Sequence, residues 1–425
     1  MSPGSDDEDG IVTHLQMSRE LLGRPRTRAV AGQGDYISVL PNCQRPDRAL
    51  LVDDDRFGRL ARNKCRIAGN KCRMAGNKCR MAGDKCRIAG ESMSHGSRAG
   101  SRFRGVRVLI ALGGNAMTGP DGNARPEAQI AAARVAMDKV ADLVADGVDV
   151  VITHGNGPQV GNLLVKNEIA ASVVPPVPLD WCVAQTQATI GFILVDALEH
   201  AFLERGIDLP AAALVTRTLV DRDDPRFERP TKPIGRYLPE AEAAVLIEHG
   251  QVWEDRGERG WRRVVASPEP LEILDAVSIG TLVAARHVVV ANGGGGIPVV
   301  READGRLSGV EAVIDKDLGA AVLGRDLRAD VLVIATDVEN AVIGFGQPDA
   351  KPIEETAVGQ LRLLAEQGHF TSGSMGPKVE AACRFVEQGG MYSVITSLDN
   401  IMAAARGRTG TVVRPDTARE QRSDA

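Results

Sequence analysis

Three charged residues in a row, Asp315-Lys316-Asp317, are the strongest candidates for chemistry in this sequence. They follow an apolar run from Val310 to Ile314 that contains one acid, and a helical pattern begins directly after them. A lysine at the point where a strand passes into a helix can reach a bound anion, and neighbouring aspartates can hold its ammonium group. Taken alone, the stretch has a simpler interpretation, which is a helix cap followed by a surface salt bridge.

Glycine-rich segments at four predicted strand ends favour a ligand that carries phosphate. They comprise residues 113–114, 155–161, 293–296 and 373–376. Glycine lets backbone N–H groups point at an anion without a Cβ in the way, and a following helix N-terminus adds favourable partial charge. One such loop is weak evidence, whereas four in one α/β domain predict a phosphate-bearing ligand.

Two common phosphate-binding motifs do not explain these glycines. The sequence contains no G-x-x-x-x-G-K-[ST], so it is not that of an ordinary P-loop enzyme. Gly155, Gly157 and Gly161 resemble a dinucleotide-binding turn, which requires an acid about 20 residues further on, at the end of the next strand. That region reads ASVVPPVPLD, with adjacent prolines, so NAD binding is disfavoured.

Two further lysines point to phosphoryl transfer. Lys378 opens a predicted helix just after Gly373-Ser374-Met375-Gly376, and Lys232 stands between prolines in PTKP. Phosphoryl transfer requires positive charge around a group whose oxygens share negative charge, and lysines together with Mg²⁺ can supply it. Each lysine alone would more simply be a solvated surface residue, so the prediction depends on the set.

The elements that must position these residues alternate between strands and helices. Continuous apolar runs at 106–112, 149–154, 287–292 and 331–337 are typical of strands buried on both faces, and helical patterns separate them. This alternation predicts a parallel sheet with helices on both faces. Ligands of such sheets bind beyond the carboxyl ends of the strands, which is where the glycines fall.

Further elements are predicted along the same chain. They are strands at 211–216 and 341–346, the strand YSVIT at 392–396, the strand GTVV at 410–413, and helices at 160–171, 180–205, 272–286, 356–367 and 375–389. Residues 221–270 interrupt the alternation of strands and helices. They contain six prolines and two short β-like segments around Trp253 and Trp261. We interpret residues 221–270 as a small inserted segment, called the excursion below.

Residues 1–105 have a different composition from the remainder. They hold 20 Lys and Arg against 12 Asp and Glu, which gives +8 and leaves −13 for the rest of the chain. Four heptapeptides, NKCRIAG, NKCRMAG, NKCRMAG and DKCRIAG, occupy residues 63–90. Their glycines make a poor helix, so we predict disorder. The alternatives are a metal-binding tail, against which the seven-residue cysteine spacing argues, and a basic tail that contacts nucleic acid.

The whole sequence indicates a soluble cytoplasmic protein without a membrane partner. The acidic N-terminus lacks the apolar centre of a secretory signal, and no apolar stretch is expected to be long enough to span a bilayer. The cysteines outside the repeats show no disulfide framework, which fits a reducing compartment. Residues 415–425 are polar and predicted to be frayed.

From about residue 106 to 414 the chain resembles the carbamate kinases of the amino-acid-kinase fold family. The motifs that carry the resemblance, in the family's order, are ALGGNA (111–116), HGNGPQVGNLL (154–164), PLD (178–180), RPTKPIG (229–235), GWRRVVASP (260–268), GGGGIPVV (293–300), GVEAVIDKD (309–317) and GSMGPKVEA (373–381). The excursion resembles the protruding subdomain that distinguishes carbamate kinases from acetylglutamate, aspartate and UMP kinases. Nothing in the family resembles residues 1–105.

The resemblance implies an open αβα sandwich with a mainly parallel sheet, a homodimer, and the reaction ATP + carbamate ⇌ ADP + carbamoyl phosphate with Mg²⁺. It implies that the reaction runs toward ATP synthesis in arginine, citrulline or ureide catabolism. The sequence predicts no metal ligands on the protein. Nucleic acid is not expected as a partner.

The resemblance also assigns roles to residues. Lys316 would touch the transferring phosphoryl, Lys378 the nucleotide phosphates, Asp317 would orient both lysines, and Lys232 would close over the site. Contacts to carbamate or carbamoyl phosphate would come from Gly113, Gly114, Asn115, Gly155, Asn156, Gly157, Asn292, Gly293 and Gly294. Contacts to the nucleotide would come from Thr336, Asp337, Ser374, Met375 and Gly376.

Two departures from the family pattern leave the charged residues in place. QATIGF (187–192) stands where a glycine after the glutamine and a final tyrosine are more usual, and Asn292 precedes the four glycines where other residues are common. Three alternatives remain: another amino-acid kinase, a non-catalytic small-molecule sensor on this fold, and a nucleic-acid-binding protein recruited by its basic tail. The excursion argues against the first, and the four charged residues argue against the second.

Overall fold

Strands and helices alternate along the chain from Arg107 onwards. The computed structural model describes residues 105–118, 124–248, 250–370 and 375–416, apart from the side chains of Asn115 and Ala116. The predictions for residues 1–104 and for residues 417–425 lie outside the described residues.

The described strands are β1 (Arg107–Leu112), β2 (Asp149–His154), β3 (Ala211–Ala213), β4 (Arg217–Val220), β5 (Lys232–Leu238), β6 (Trp253–Asp255), β7 (Trp261–Val265), β8 (Pro270–Ile273), β9 (Val288–Val290), β10 (Ile297–Arg301), β11 (Leu307–Gly309), β12 (Val331–Thr336), β13 (Val342–Ile343), β14 (Lys351–Pro352), β15 (Glu355–Ala357), β16 (Tyr392–Ser397) and β17 (Thr411–Arg414). The α-helices are α1 (Pro126–Ala145), α2 (Gly157–Ala170), α3 (Leu179–Arg205), α4 (Glu240–Glu248), α5 (Ala276–Ala284), α6 (Lys316–Leu327), α7 (Val358–Glu366), α8 (Met375–Glu387) and α9 (Ile401–Ala404).

An eight-stranded sheet in the order β15-β17-β16-β12-β1-β2-β9-β3 forms the centre of the fold. All its pairings are parallel except that of β16 with β17. The predicted mainly parallel sheet, with helices on both faces, is therefore confirmed.

Each central strand supplies side chains to two hydrophobic cores, one on either face of the sheet. In β1, Val108, Ile110 and Leu112 pack into the core covered by α1, α3 and α9. The alternating Leu109 and Ala111 pack into the core covered by α5, α6, α7 and α8. Successive side chains of a strand point to opposite faces, so a strand with cores on both sides must be apolar throughout. The continuous apolar runs in the sequence arise for this reason.

The described residues form three smaller sheets in addition to the central one. A four-stranded sheet has the order β11-β10-β4-β8, and β13 and β14 form a hairpin. Within the excursion, β5, β7 and β6 form an antiparallel sheet, and α4 packs against it through Ala243 beside Leu238 and Trp253. The sequence predicted the two short strands around Trp253 and Trp261 but neither β5 nor α4.

Several predicted elements differ from the observed ones. The segment Val310 to Ile314 is not a strand, since its only ladder contact is an isolated bridge between Ala312 and Ala266. Lys316 therefore follows an extended connection rather than a strand. In the glycine segment at 373–376, Met375 and Gly376 already belong to α8, and the preceding described element is α7, so that segment does not stand at a strand end either. Its residues 373 and 374 lie outside the described part.

Other predicted elements are shorter than expected. The strands predicted at 211–216 and 341–346 are reduced to β3 and β13, and the helix predicted at 272–286 is preceded by strand β8. At Thr216 the backbone N–H donates to Gln187 Oε1 instead of to a neighbouring strand, and after β13 the carbonyl of Gly344 accepts from the Gln347 N–H. The strands β4 and β10 were not predicted at all.

Helix α3 is long and apolar enough, by length and composition, to cross a membrane, and it is the one such helix in the described ranges. The expectation that no apolar stretch has this length was therefore wrong for α3. Half of its most apolar window is buried, and Ile190, Leu194 and Leu198 pack into the core beside α1. Core helices of this kind pass the same test of length and composition, so the finding is weak evidence for a membrane span.

Candidate active site

Four adjacent strands end at the same edge of the central sheet, and the predicted glycine segments follow three of them. The order across this edge is β12-β1-β2-β9. Leu112 at the end of β1 is in register with Ala335 of β12 and with His154 of β2. Because parallel strands place their carboxyl ends together, residues far apart in sequence meet here.

Gly155 brings the first two glycine segments together with Lys316. A Cβ on Gly155 would lie 2.9 Å from the Gly114 nitrogen and 3.2 Å from Lys316 Cδ. Its N–H donates to the carbonyl of Leu112 at 3.0 Å, which ties the end of β2 to the end of β1. Any side chain at this position would push the Lys316 stem away, so glycine is required for the lysine to approach these turns.

Asp315 has a separate contact for each of its carboxylate oxygens. Oδ1 accepts hydrogen bonds from the backbone N–H groups of Asp317 (2.9 Å) and Leu318 (3.3 Å), which caps α6. Oδ2 accepts from Lys232 Nζ at 2.7 Å. The simple helix cap considered for this stretch therefore exists, and the same residue also ties the excursion to the start of α6.

Asp317 lies between two lysines. Lys316 Nζ contacts its Oδ1, and Lys378 Nζ, from the first turn of α8, donates to its Oδ2 at 3.1 Å. The pair formed with Lys378 is buried, with side chains 4% and 6% exposed, rather than at the surface. Burial raises the pKa of the Asp317 carboxyl, but the two ammonium groups outweigh it and hold that pKa below its usual value.

These contacts bring three lysines and two aspartates together around the first turn of α6, with Lys232 reaching it from β5 and Lys378 from α8. If all five are ionised, the cluster carries one net positive charge, next to the N-terminus of α6, which adds positive partial charge. Such an arrangement attracts an anion, and lysines can provide point charges to a phosphoryl group. The structure thus brings together the four residues predicted as catalytic: Lys232, Lys316, Asp317 and Lys378.

His154, the last residue of β2, is buried beside this cluster and was given no role in the sequence analysis. Its Nδ1 lies 3.0 Å from its neighbour's carbonyl oxygen, Gly155 O, so Nδ1–H is the donor. Its Nε2 faces Gly293, where a Cβ would come within 2.3 Å. Burial, together with repulsion from Lys316, lowers the pKa of His154 to about 4, although the contact with Gly155 opposes this. The imidazole is therefore neutral at pH 7.

The third glycine segment packs against the first two through the start of α2. Gly294 has φ +66°, and a Cβ there would lie within 2.6 Å of three side-chain atoms of Asn156. Asn156 precedes α2, and its Nδ2 donates to Thr186 Oγ1 of α3 at 2.9 Å. Gly157 is the first residue of α2. These residues, predicted to hold the substrate, are therefore neighbours.

Gln187 and Asn292 fix the backbone of this third segment. Gln187 Nε2 donates to Gly293 O (3.0 Å) and Thr216 O (3.2 Å), and its Oε1 accepts from Thr216 N (2.8 Å). Asn292 adopts a left-handed conformation (φ 56°) and is fully buried. Its Nδ2 has no hydrogen-bond partner among the described residues and lies against Gly319. A buried donor of this kind normally binds a water or a ligand.

The residues predicted for the nucleotide lie on the β12 and α8 side. Thr336 ends β12 beside Gly113, where a Cβ would lie 3.7 Å from Thr336 Cα, and Thr336 Oγ1 donates to Asp337 Oδ1 at 3.0 Å. Met375 and Gly376 form the start of α8, two residues before Lys378. Ser374 lies outside the described residues, as does the side chain of Asn115, whose backbone belongs to the 3₁₀ turn Gly114–Met117.

The described residues include no group of three or more His, Cys, Asp or Glu side chains that could hold a metal ion. Asp315 and Asp317 are each paired with lysine, which reduces their capacity to bind a cation. Mg²⁺ keeps several waters and is commonly bound through substrate phosphates. The site therefore fits a magnesium ion that arrives on the nucleotide phosphates.

Sequence reasoning missed His154, Gln187 and the double contact of Asp315. His154 carried one usable signal, since a titratable residue ends an apolar strand directly before a glycine turn. Gln187 had no sequence signal beyond its place in a family motif, because the residues that it contacts lie more than twenty positions away along the chain.

The chain is similar in sequence and in fold to proteins of known activity. A model of the amino acid kinase family matches residues 106–397. A carbamate kinase from Thermococcus kodakarensis is 46% identical over 312 residues, which covers 72% of this chain and 98% of the relative. A carbamate kinase-like protein of Escherichia coli is 42% identical over 309 residues, covering 72% and 97%. The solved structure of carbamate kinase from Giardia lamblia bound to AMP-PNP superposes with a TM-score of 0.70 at 41% identity and covers 73% of this chain and 99% of that one.

Proposed function

The chain belongs to the amino acid kinase family, among the carbamate kinases, and from this premise we propose that it catalyses ATP + carbamate ⇌ ADP + carbamoyl phosphate. The observation that carries the proposal is the buried contact of Asp317 with both Lys316 and Lys378. It lies at the edge of the sheet where three glycine segments meet.

The lysine cluster supplies the electrostatics of the reaction. The transferring phosphoryl spreads negative charge over its oxygens in the transition state, so fixed positive charges accelerate transfer. Lys316 would contact that phosphoryl, and Lys378 the nucleotide phosphates. Asp317 holds both ammonium groups in a buried position, so little reorganisation is needed when charge develops.

Lys232 would complete the site from the excursion. Its ammonium group forms an ion pair with Asp315 while its side chain is 38% exposed, so it can exchange that partner for a phosphoryl oxygen. The neutral His154 adds no positive charge beside Lys316, and Gln187 holds the carbonyl of Gly293. The turns at Gly113, Gly114, Asn115, Gly155, Asn156 and Gly157, with Asn292, Gly293 and Gly294, would receive the carbamoyl group.

The nucleotide would bind with Mg²⁺ on its phosphates, beside Thr336, Asp337 and the segment Ser374, Met375 and Gly376. We further propose that the physiological direction is ATP synthesis from carbamoyl phosphate, in arginine, citrulline or ureide catabolism, in the cytoplasm. The supporting argument is the likeness to carbamate kinases reported above.

We also propose a homodimer that forms through α3 and the end of α2. Trp181, Phe192 and Leu203 are 60%, 69% and 80% exposed. They are eleven residues apart, which is close to three helical turns, so they form one line along the helix. Ile169 and Val173, near the end of α2, are also exposed. A second copy of the chain would cover this stripe, and Phe192→Asp should convert a dimer to a monomer in analytical ultracentrifugation, whereas a wild-type monomer would contradict the proposal.

The function is tested by ATP formation from ADP and carbamoyl phosphate, coupled to hexokinase and glucose-6-phosphate dehydrogenase. Acetyl phosphate serves as the control donor, and chelation of Mg²⁺ should abolish ATP formation when the ATP is measured by chromatography, without the Mg²⁺-dependent hexokinase. A loss of ATP formation in the Asp317→Asn variant would show that the activity comes from this enzyme and not from contaminants of the preparation. Binding of carbamoyl phosphate without any ATP formation would instead favour a small-molecule sensor on this fold.

A further inference from the structure

A chain of alternating charges connects the nucleotide-side helix α8 to the base of the excursion. It contains, in spatial order, Glu387, Arg362, Glu380, Arg384, Glu269, Arg226 and Asp224. None of these residues has a place in the proposed reaction. Glu269, between β7 and β8, is the member at which the helices and the excursion meet.

The two carboxylate oxygens of Glu269 contact arginines from different parts of the protein. Its Oε1 contacts the guanidinium of Arg384 on α8, and its Oε2 lies 3.3 Å from Arg226 NH2, near the first residues of the excursion. Its side chain is 24% exposed. Among the described ion pairs, that of Glu269 with Arg384 is the one that joins α8 to residues 221–270.

The base of the excursion is closed by Asp224. Its carboxylate accepts hydrogen bonds from the backbone N–H groups of Arg226 and Glu269, both at 2.8 Å. Burial raises the pKa of Asp224, but these hydrogen bonds and the Arg226 charge outweigh it and hold that pKa below its usual value. Asp224 thereby joins the first residues of the excursion to its last residues, at Glu269.

The two elements joined by Glu269 carry two of the reactive lysines. Lys378 lies in the first turn of α8, on its buried face, while Glu380 and Arg384 occupy the opposite face. Lys232 begins β5, a few residues after Arg226. An inner connection already links these lysines through Asp315 and Asp317 at the start of α6.

The inner connection is weakened when substrate binds. In the proposed function, Lys232 leaves Asp315 for a phosphoryl oxygen, and the excursion then loses that contact with α6. The outer connection through Glu269 contains no group that contacts substrate, so it remains intact throughout the cycle. We propose that Glu269 is a positioning residue that keeps the Lys232-bearing excursion in fixed relation to the Lys378-bearing helix α8. This inference rests on the proposed function for its kinetic consequences.

The test is a double-mutant cycle between Glu269→Gln and Lys232→Ala, measured by ATP formation. Glu269→Gln should lower kcat/KM for carbamoyl phosphate about 3- to 10-fold, within the range of measured coupling effects, and leave KM for ADP unchanged. In the Lys232→Ala background it should have no further effect, because the lysine that it positions is gone. Two independent, multiplicative effects would overturn the proposal.

Glu387→Gln is the matched control. It removes the bidentate contact between Glu387 and Arg362, at 2.8 and 2.9 Å, at the far end of the same chain of charges. It leaves Glu269 and the excursion untouched and should preserve kcat/KM. An equal loss in this variant would show that general stabilisation of α7 and α8 explains the effect, and would overturn a specific role for Glu269.

Hydrogen exchange tests the same coupling without activity. Amides of residues 225–238 should exchange faster in Glu269→Gln than in wild type or Glu387→Gln, while amides of β1 and β12 should be unaffected. Unchanged exchange at 225–238 would overturn the coupling. If wild type forms no ATP, the proposed function fails, and this exchange experiment alone decides whether Glu269 couples the two elements.

Discussion

Asp315 shows how one residue can be both a structural cap and part of a reactive site. One oxygen satisfies two backbone N–H groups of α6, and the other binds Lys232. A sequence predicts the cap from the residue type and its place before a helical pattern. It does not predict the second contact, because Lys232 lies 83 positions away and reaches Asp315 only through the fold of the excursion.

At the residue scale, loss of the Lys316 charge should lower kcat much more than it weakens the binding of nucleotide. Lys316→Met removes the charge and keeps most of the stem that packs beside Gly155. Because the charge acts mainly on the transition state, kcat should fall by roughly 10²–10³, or about 2.7–4 kcal/mol, with a modest change in KM for ADP. Steady-state kinetics measure both quantities, and Lys139→Met on α1 is the control for loss of a lysine.

The partner variant Asp317→Asn tests whether the cluster acts as a unit. Asn cannot hold two ammonium groups as a carboxylate does, so both lysines should lose their positions. The double variant Lys316→Met/Asp317→Asn should then be far less impaired than the product of the single effects. A Lys316→Met enzyme with near-normal kcat would mean that residues 315–317 form only a capped helix start.

His154 should make the folded state sensitive to acid. The unfolded chain binds a proton at this residue near pH 6.5, whereas the folded chain does so only near pH 4, where its pKa lies. Between these values the unfolded state binds more protons, so stability falls as the pH falls. At about 1.4 kcal/mol for each pKa unit, the loss from His154 is about 3 kcal/mol between pH 7 and pH 4.

Urea unfolding of His154→Asn across this pH range is the measurement. The free energy of unfolding of the variant should depend less steeply on pH than that of wild type, whatever its absolute stability. Asp317, whose pKa is also lowered, adds a loss of the same sign that both proteins share. An unchanged slope in His154→Asn would show that burial does not hold this imidazole neutral.

At the scale of elements, the sequence predicted the strands that have a core on each face. β1, β2, β12 and β16 are continuous apolar runs because both of their faces are covered. The strands it missed, such as β4 and β5, alternate with polar residues, and their pairings join distant segments. Short strands of this kind owe their form to their partners rather than to a local pattern.

The excursion should contribute to turnover through Lys232 while adding little to global stability. Its ion pair with Asp315 is partly exposed, and such pairs contribute up to about 1 kcal/mol. Lys232→Ala should therefore lower kcat/KM for carbamoyl phosphate and shift the free energy of unfolding by less than about 1 kcal/mol. Kinetics and chemical unfolding of the same preparation provide the two values.

Arg236→Ala is the control within the same strand. Arg236 lies on β5 and pairs with Glu168 of α2 at 3.5 Å, so its loss also removes a contact between the excursion and the rest of the protein. Its kinetics should match wild type, since no reactive group is lost. Unchanged kinetics in Lys232→Ala would show that Lys232 is an ordinary surface charge without a role in turnover.

For the whole molecule, two cores on one sheet explain why the fold class could be predicted while the site could not be assembled from sequence alone. Alternating apolar strands and helices determine a parallel sheet, and the sheet determines which ends meet. The contact of Gly155 with Lys316, or of Gly294 with Asn156, depends on how three glycine turns pack together, and no local pattern encodes that. Family motifs identified these residues without giving their arrangement.

The catalytic unit should be independent of the N-terminal residues. The family model begins at residue 106, and relatives of the kinase are matched over 97% or more of their length by 72–73% of this chain. We propose that residues 106–414 form the kinase domain. A chain that starts at Arg104 should therefore melt within about 2 °C of the full protein, a shift that corresponds to about 1 kcal/mol for a domain of this size. It should also form ATP at the same rate.

The same pair of proteins tests whether the basic extension binds nucleic acid. Residues 1–105 carry +8 and the remainder −13, so the shortened protein loses its cationic segment. We expect neither protein to bind duplex DNA at physiological salt. A strongly salt-dependent affinity present only in the full chain would instead assign the extension a nucleic-acid-binding role, because release of counterions from phosphates gives that dependence. A shortened protein that is insoluble or inactive would show that the kinase requires residues beyond the matched domain.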